Sequence, residues 1–121
     1  MRLHQVGQRA TDLPRATAFY TRLLGHGPVA TFDPPGLVFF ALGETRLLLD
    51  TNAPSALIYL RVDDLSARVE ELRSAGVQIL GEPHPIFEDT DARFGPAATE
   101  WMAFVRDSEG NTVGLASRVP A

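Results

Sequence analysis

The chain has 121 residues, is 45% hydrophobic and carries a net charge of −4. That is enough for one domain with a real core, and it excludes a nucleic-acid backbone partner, which needs a basic face. No residue is cysteine and all 11 basic residues are arginine, so disulfides, zinc–thiolate sites and lysine Schiff bases are excluded as well.

Residues 3–10 read as a first strand, with Val6 and Ala10 on one face and Gln5, Gly7 and Arg9 on the other. Thr11 or Asp12 caps a first helix, whose first turn accepts Pro14 without loss. Leu13, Ala16, Phe19, Tyr20, Leu23 and Leu24 make its buried stripe, and Gly25 ends it. A short strand at Val29–Phe32 follows. Leu37–Leu42 and Thr45–Leu49 then form a hairpin across Gly43 and Glu44.

Thr51–Ser55 reads as the joint between modules, and a strand over Ala56–Val62 opens the second. Its helix runs from about Leu65 to Ala75, capped by Asp64, with Leu65, Val69 and Leu72 inward. Val77–Leu80 is a strand, Gly81–Thr99 an irregular stretch, and Glu100–Arg106 with Thr112–Ser117 a last hairpin. Glu88, Asp89 and Asp91 lack the alternating pattern of a calcium loop and read as a solvated loop. The second module carries about 14 more residues before its last hairpin than the first, a length suited to a lid or a dimer contact.

The chain thus repeats itself. Residues 10–25 match residues 62–76, with Asp12 equivalent to Asp64 and Gly25 to Gly76. The fold class expected is α+β: two tandem βαβββ modules, about 1–52 and 53–121, forming a curved mixed sheet around a central cavity, with the helices on the outer face. No apolar run reaches membrane-span length and the N-terminus is polar. The expectation is a soluble cytoplasmic protein with no membrane partner.

Three motifs carry a resemblance. They are Asp12, Leu13, Ala16, Phe19, Tyr20, Leu24 and Gly25; the run Val62–Leu65; and Phe104, Arg106, Asp107, Gly110 and Asn111. The chain resembles the vicinal oxygen chelate superfamily over about Leu3 to Ser117. That group includes glyoxalase I, methylmalonyl-CoA epimerase, extradiol dioxygenases, the glutathione transferase that inactivates fosfomycin, and bleomycin-resistance proteins. The resemblance implies a homodimer and, in the metal-dependent members, one divalent metal on four side chains. The equivalent positions here are Gln5, Leu48, Leu57 and Gly114. Three of them offer no donor, so the expectation is no metal and no cofactor, with Asp50 or His84 as the only replacements at hand.

By alternation, the face bearing those positions also carries Arg9, Arg46, Asp50, Tyr59 and Arg61; the resemblance implies that Phe104 of the last hairpin lies there too, and Met102 and Glu100 follow it by parity. The expected ligand-binding site is therefore an apolar floor with polar edges, widened at Gly114 and suited to an organic molecule with an anionic or planar part. Arg46 with Asp50, and Arg61 with Glu100, are the structural pairs this placement allows. His84, between two prolines, is the candidate general acid–base, while His4 reads as an exposed strand residue and His26 as structural. Trp101 points away from Phe104, under a helix. Two functions compete: a metal-free protein that sequesters an antibiotic or another small molecule, and a glyoxalase- or methylmalonyl-CoA-epimerase-like lyase or isomerase with a relocated metal. A small structural subunit with a vestigial cavity is the third.

Overall fold

The computed structural model describes residues Met1–Ala121, arranged as β1 (Gln5–Arg9), α1 (Leu13–Leu24), β2 (Ala30–Phe32), β3 (Leu37–Leu42), β4 (Thr45–Asp50), β5 (Ile58–Arg61), α2 (Leu65–Ser74), β6 (Ile79–Asp89), β7 (Ala98–Arg106) and β8 (Thr112–Pro120). This is the βαβββ pattern twice, and each module makes its own four-stranded mixed sheet. No helix is long and apolar enough to cross a membrane.

The chain divides into two compact units. The first comprises Met1–Leu57 together with Asp107–Asn111. Its strand order is β1-β4-β3-β2, with β1 parallel to β4 and the other pairs antiparallel. The Asp12 carboxylate accepts from the Arg15 N–H at 3.0 Å and starts α1, while Gly25 stops it at φ 82°. Leu13, Ala16, Tyr20 and Leu23 are buried, and on the sheet so are Val38, Phe40, Leu47 and Leu49. Phe19 and Leu24, expected in the same stripe, are only half-buried, because they lie at the margin of the helix face.

The first unit also holds a polar core. Gln8 is fully buried, and its side-chain amide lies 3.5 Å from the Tyr20 hydroxyl, which donates to Asp107 Oδ2 at 2.6 Å. Asp107 accepts further bonds from the Glu109 N–H, the Asn111 N–H and the Asn111 side chain. Asn111 in turn donates to the Arg9 carbonyl at 2.9 Å and accepts from the Ser55 hydroxyl at 2.6 Å. Glu109 accepts from the Asp12 N–H, the Thr11 hydroxyl and the Arg15 guanidinium at the start of α1. Burial alone would raise the Glu109 carboxyl, but Arg15, the Asp12 N–H and the two hydroxyls of Ser108 and Thr11 hold it down at about 2.

The second unit comprises Ile58–Arg106 and Thr112–Ala121, with strand order β5-β8-β7-β6. Asp64 caps α2 by accepting from the Ala67 N–H at 3.1 Å. Leu65, Val69 and Leu72 are buried, as are Ile58, Ala103, Val105, Val113 and Leu115 on the sheet. Trp101 shares the parity of Ala103 and Val105 and is half-buried.

Residues 81–99, expected to be irregular, are mostly ordered. β6 continues to Asp89 as an edge strand with three register shifts, and only residues 90–97 connect it to β7. An edge strand bonds on one side only, so Pro83 and Pro85 fit where the bulges relieve the missing N–H groups. Asp89 is not solvated: it is 3% exposed and accepts from the N–H groups of Phe94 and Arg93 and from Arg118. Those bonds hold its carboxyl below the ordinary value, the Phe94 N–H contributing most.

Candidate functional site

Side chains paired directly across neighbouring strands share a face. On the first sheet, away from α1, the parallel register aligns Gln5 with Arg46, Gly7 with Leu48, and Arg9 with Asp50. Arg46 donates to Gln5 Oε1 at 3.1 Å, lies 2.9 Å from His4 Nε2, and stacks 5.5 Å above the Phe39 ring. The expected Arg46–Asp50 pair is therefore not formed; Asp50 instead accepts from the Asn52 N–H at 2.9 Å. His4 precedes β1 and is exposed.

The second sheet aligns three rows on the face away from α2. The first runs Tyr59, Gly114, Phe104, Gly81; the second Arg61, Ala116, Met102, His84; the third Arg118, Glu100, Phe87. Gly114 does not widen this face. A Cβ placed there would stand 2.5 Å from Tyr59 Cδ1 and 3.3 Å from Phe104 Cε1, because the Tyr59 ring already lies across the glycine. Tyr59 meets Phe104 edge-on, with centroids 6.1 Å apart.

The expected Arg61–Glu100 pair is also absent. Glu100 lies 3.5 Å from Arg118, whose other guanidinium nitrogen bonds Asp89 at 2.8 Å and the Pro96 carbonyl at 3.0 Å. The signal for Arg118 was present in the sequence: it continues the alternation of Gly114 and Ala116 along β8. Leu57 precedes β5 and is half exposed. His84 Nδ1 lies 2.8 Å from the Glu82 carbonyl. His26 sits beside Phe40 and its Nδ1 is 3.3 Å from the Gly27 carbonyl, a structural placement.

Of Gln5, Leu48, Leu57 and Gly114, the positions that the resemblance makes equivalent to metal ligands, only Gln5 has a side-chain donor atom. The single donor, the Gln5 amide oxygen, is bound by a guanidinium. Leu48 and Leu57 present only hydrocarbon, and an aromatic ring covers Gly114. No three His, Asp or Glu side chains are grouped so that they could hold a metal ion.

Tandem βαβββ modules, each with its first and last strands parallel, place the molecule among proteins that build a sheet face from a duplicated unit. The chain belongs to the Glyoxalase/Bleomycin resistance protein/Dioxygenase superfamily, whose family model matches residues 2–115. A glyoxylase-like domain-containing protein of Didymella fabae is 28% identical, with 90% of this chain and 88% of that protein covered. Among solved structures, a virulence protein from Salmonella typhimurium has a TM-score of 0.72 at 19% identity, covering 98% of both chains. Lactoylglutathione lyase from Agrobacterium tumefaciens has a TM-score of 0.69 at 23% identity, covering 96% of this chain and 92% of that one.

Proposed function

We propose that this chain is a metal-independent binder of a small organic molecule, of the kind that sequesters an antibiotic or another natural product. The observation that carries the reading is the Tyr59 ring over Gly114: an aromatic contact surface stands where related folds need a carboxylate donor. With Phe104, Met102 and Ala116 it gives an apolar floor, and the guanidinium of Arg61 and the imidazole of His84 stand at its edges. Gln5, Arg9, Arg46, Leu48 and Asp50 form the corresponding face of the first sheet.

Likeness in fold to lactoylglutathione lyase favours a second reading, a lyase or isomerase with a relocated metal. Metal analysis separates the two. The protein is incubated with nickel, cobalt, manganese, zinc and iron(II), desalted, and assayed for metal per chain. Near-zero metal, with chemical-shift changes at Tyr59 and Phe104 on adding fragments from a mixed aromatic library, supports the binder. Close to one metal per chain, lost on Gln5→Ala, overturns it in favour of the enzyme.

A further inference from the structure

The second sheet's open face is chemically asymmetric in a way that selects a ligand class. Arg61 and His84 end the same cross-strand row, with only Ala116 and Met102 between them. Three strand spacings of about 4.8 Å separate the two backbones, the span of a fused ring system with a substituent at each end.

Arg61 is exposed and makes no ion pair or hydrogen bond. Arg61 lies in register with Ala116, so no acid stands directly across the strand pair from it. Asp63, two residues further on, lies beyond the end of β5 and does not pair with it. Glu100, the acid on the same face, is engaged by Arg118. Arg61 is thus a charge with no internal partner beside an apolar strip, where a guanidinium binds a carboxylate through two parallel bonds.

His84 is the complementary end. Nδ1 faces a carbonyl oxygen at 2.8 Å, which can only accept, so in the neutral imidazole Nδ1 is the donor and Nε2 the acceptor. The strip between is thioether and methyl, flanked by the Tyr59–Phe104 edge-to-face pair.

We propose that this face binds a planar aromatic carboxylate. The carboxylate lies on Arg61, the ring lies over Ala116 and Met102 against Tyr59, and a hydroxyl or N–H at the far end donates to Nε2 of His84. The proposal rests on the binding reading above and narrows it to one ligand class.

The test is calorimetric titration with a hydroxynaphthoate bearing its two groups at opposite ends, its neutral amide and its methylammonium analogue. The expected result is a carboxylate preference of about tenfold over the amide. Arg61→Gln abolishes that preference, Arg61→Lys restores part of it, and Arg22→Gln, on α1, leaves it intact. His84→Phe weakens the hydroxynaphthoate but not the naphthoate lacking the hydroxyl. Equal affinity for carboxylate and amide, or a preference that survives Arg61→Gln, overturns the proposal. If the amide or ammonium compound binds better, or only unrelated library fragments bind, the proposal falls and the binding reading stands. If neither these probes nor the library binds, both fall.

Discussion

The two modules share one topology, yet they solve opposite problems at equivalent positions. Gly7 on β1 is paired with Leu48 on β4, whereas Tyr59 on β5 is paired with Gly114 on β8. The small and large partners have changed strands. Beneath the sheets the contrast is polar against apolar: Gln8 and Tyr20 of the first module correspond to Leu60 and Leu72 of the second. The first module spends its polar groups inside, on Asp107, and ties Arg46 to Gln5, His4 and Phe39. The second packs α2 through Leu65, Val69 and Leu72, confines its buried ion pair to Asp89 and Arg118, and leaves Arg61 unpaired. A duplicated unit has thus divided its labour, one copy towards internal bonding and the other towards an open chemical face.

Breaking the polar core tests this contrast most severely. Asp107→Ala strands the Tyr20 hydroxyl and the Asn111 side chain, and should cost about 3 kcal/mol in urea unfolding. Leu72→Ala in the other core provides the apolar comparison. A loss below about 1 kcal/mol for Asp107→Ala would show that water replaces these bonds and that the polar core is not a stabilising feature.

The exchanged glycines sharpen the comparison. Gly114→Ala forces the Tyr59 ring aside and should destabilise by about 2 kcal/mol, with the Tyr59 ring resonances shifted. Gly7→Ala meets only the Ala53 methyl at 3.9 Å and should change stability by less than about 0.5 kcal/mol. Equal effects would remove the asymmetry.

Glu109→Gln probes the start of α1 and should cost about 1 kcal/mol at neutral pH, because Arg15 is half exposed and solvent screens the pair. The folded carboxyl titrates at about 2, below the ordinary 4.5, so its contribution is full above 4.5 and disappears as pH falls towards 2. Urea midpoints of the two proteins should therefore converge in acid; a gap that persists at low pH would assign the effect to shape rather than charge.

Local chemistry made much of the fold readable. Asp12 and Asp64 before apolar stripes, Gly25 after one, and the hairpin turns act within a few residues of their own positions, so both helices and the twofold βαβββ succession followed from the sequence. Effects between distant residues were hidden. Nothing near Asp89 reveals that Arg118 neutralises it, and a loop reading followed from its acidic neighbours. Pro83 and Pro85 suggested irregular chain because an edge position shows only once the sheet is assembled. At the site, the resemblance supplied Gly114 and Phe104, and alternation added Tyr59, Arg61 and Met102 to the same face. It could not show that the Tyr59 ring turns across Gly114, which is a matter of side-chain rotation rather than parity.

The first unit is discontinuous in sequence: it ends at Leu57 and is completed by Asp107–Asn111. A chain emerging from the ribosome N-terminus first therefore cannot finish this half when its own strands are made. Tyr20 waits for an acceptor 87 residues downstream, so this buried bond forms only after most of the chain has been translated.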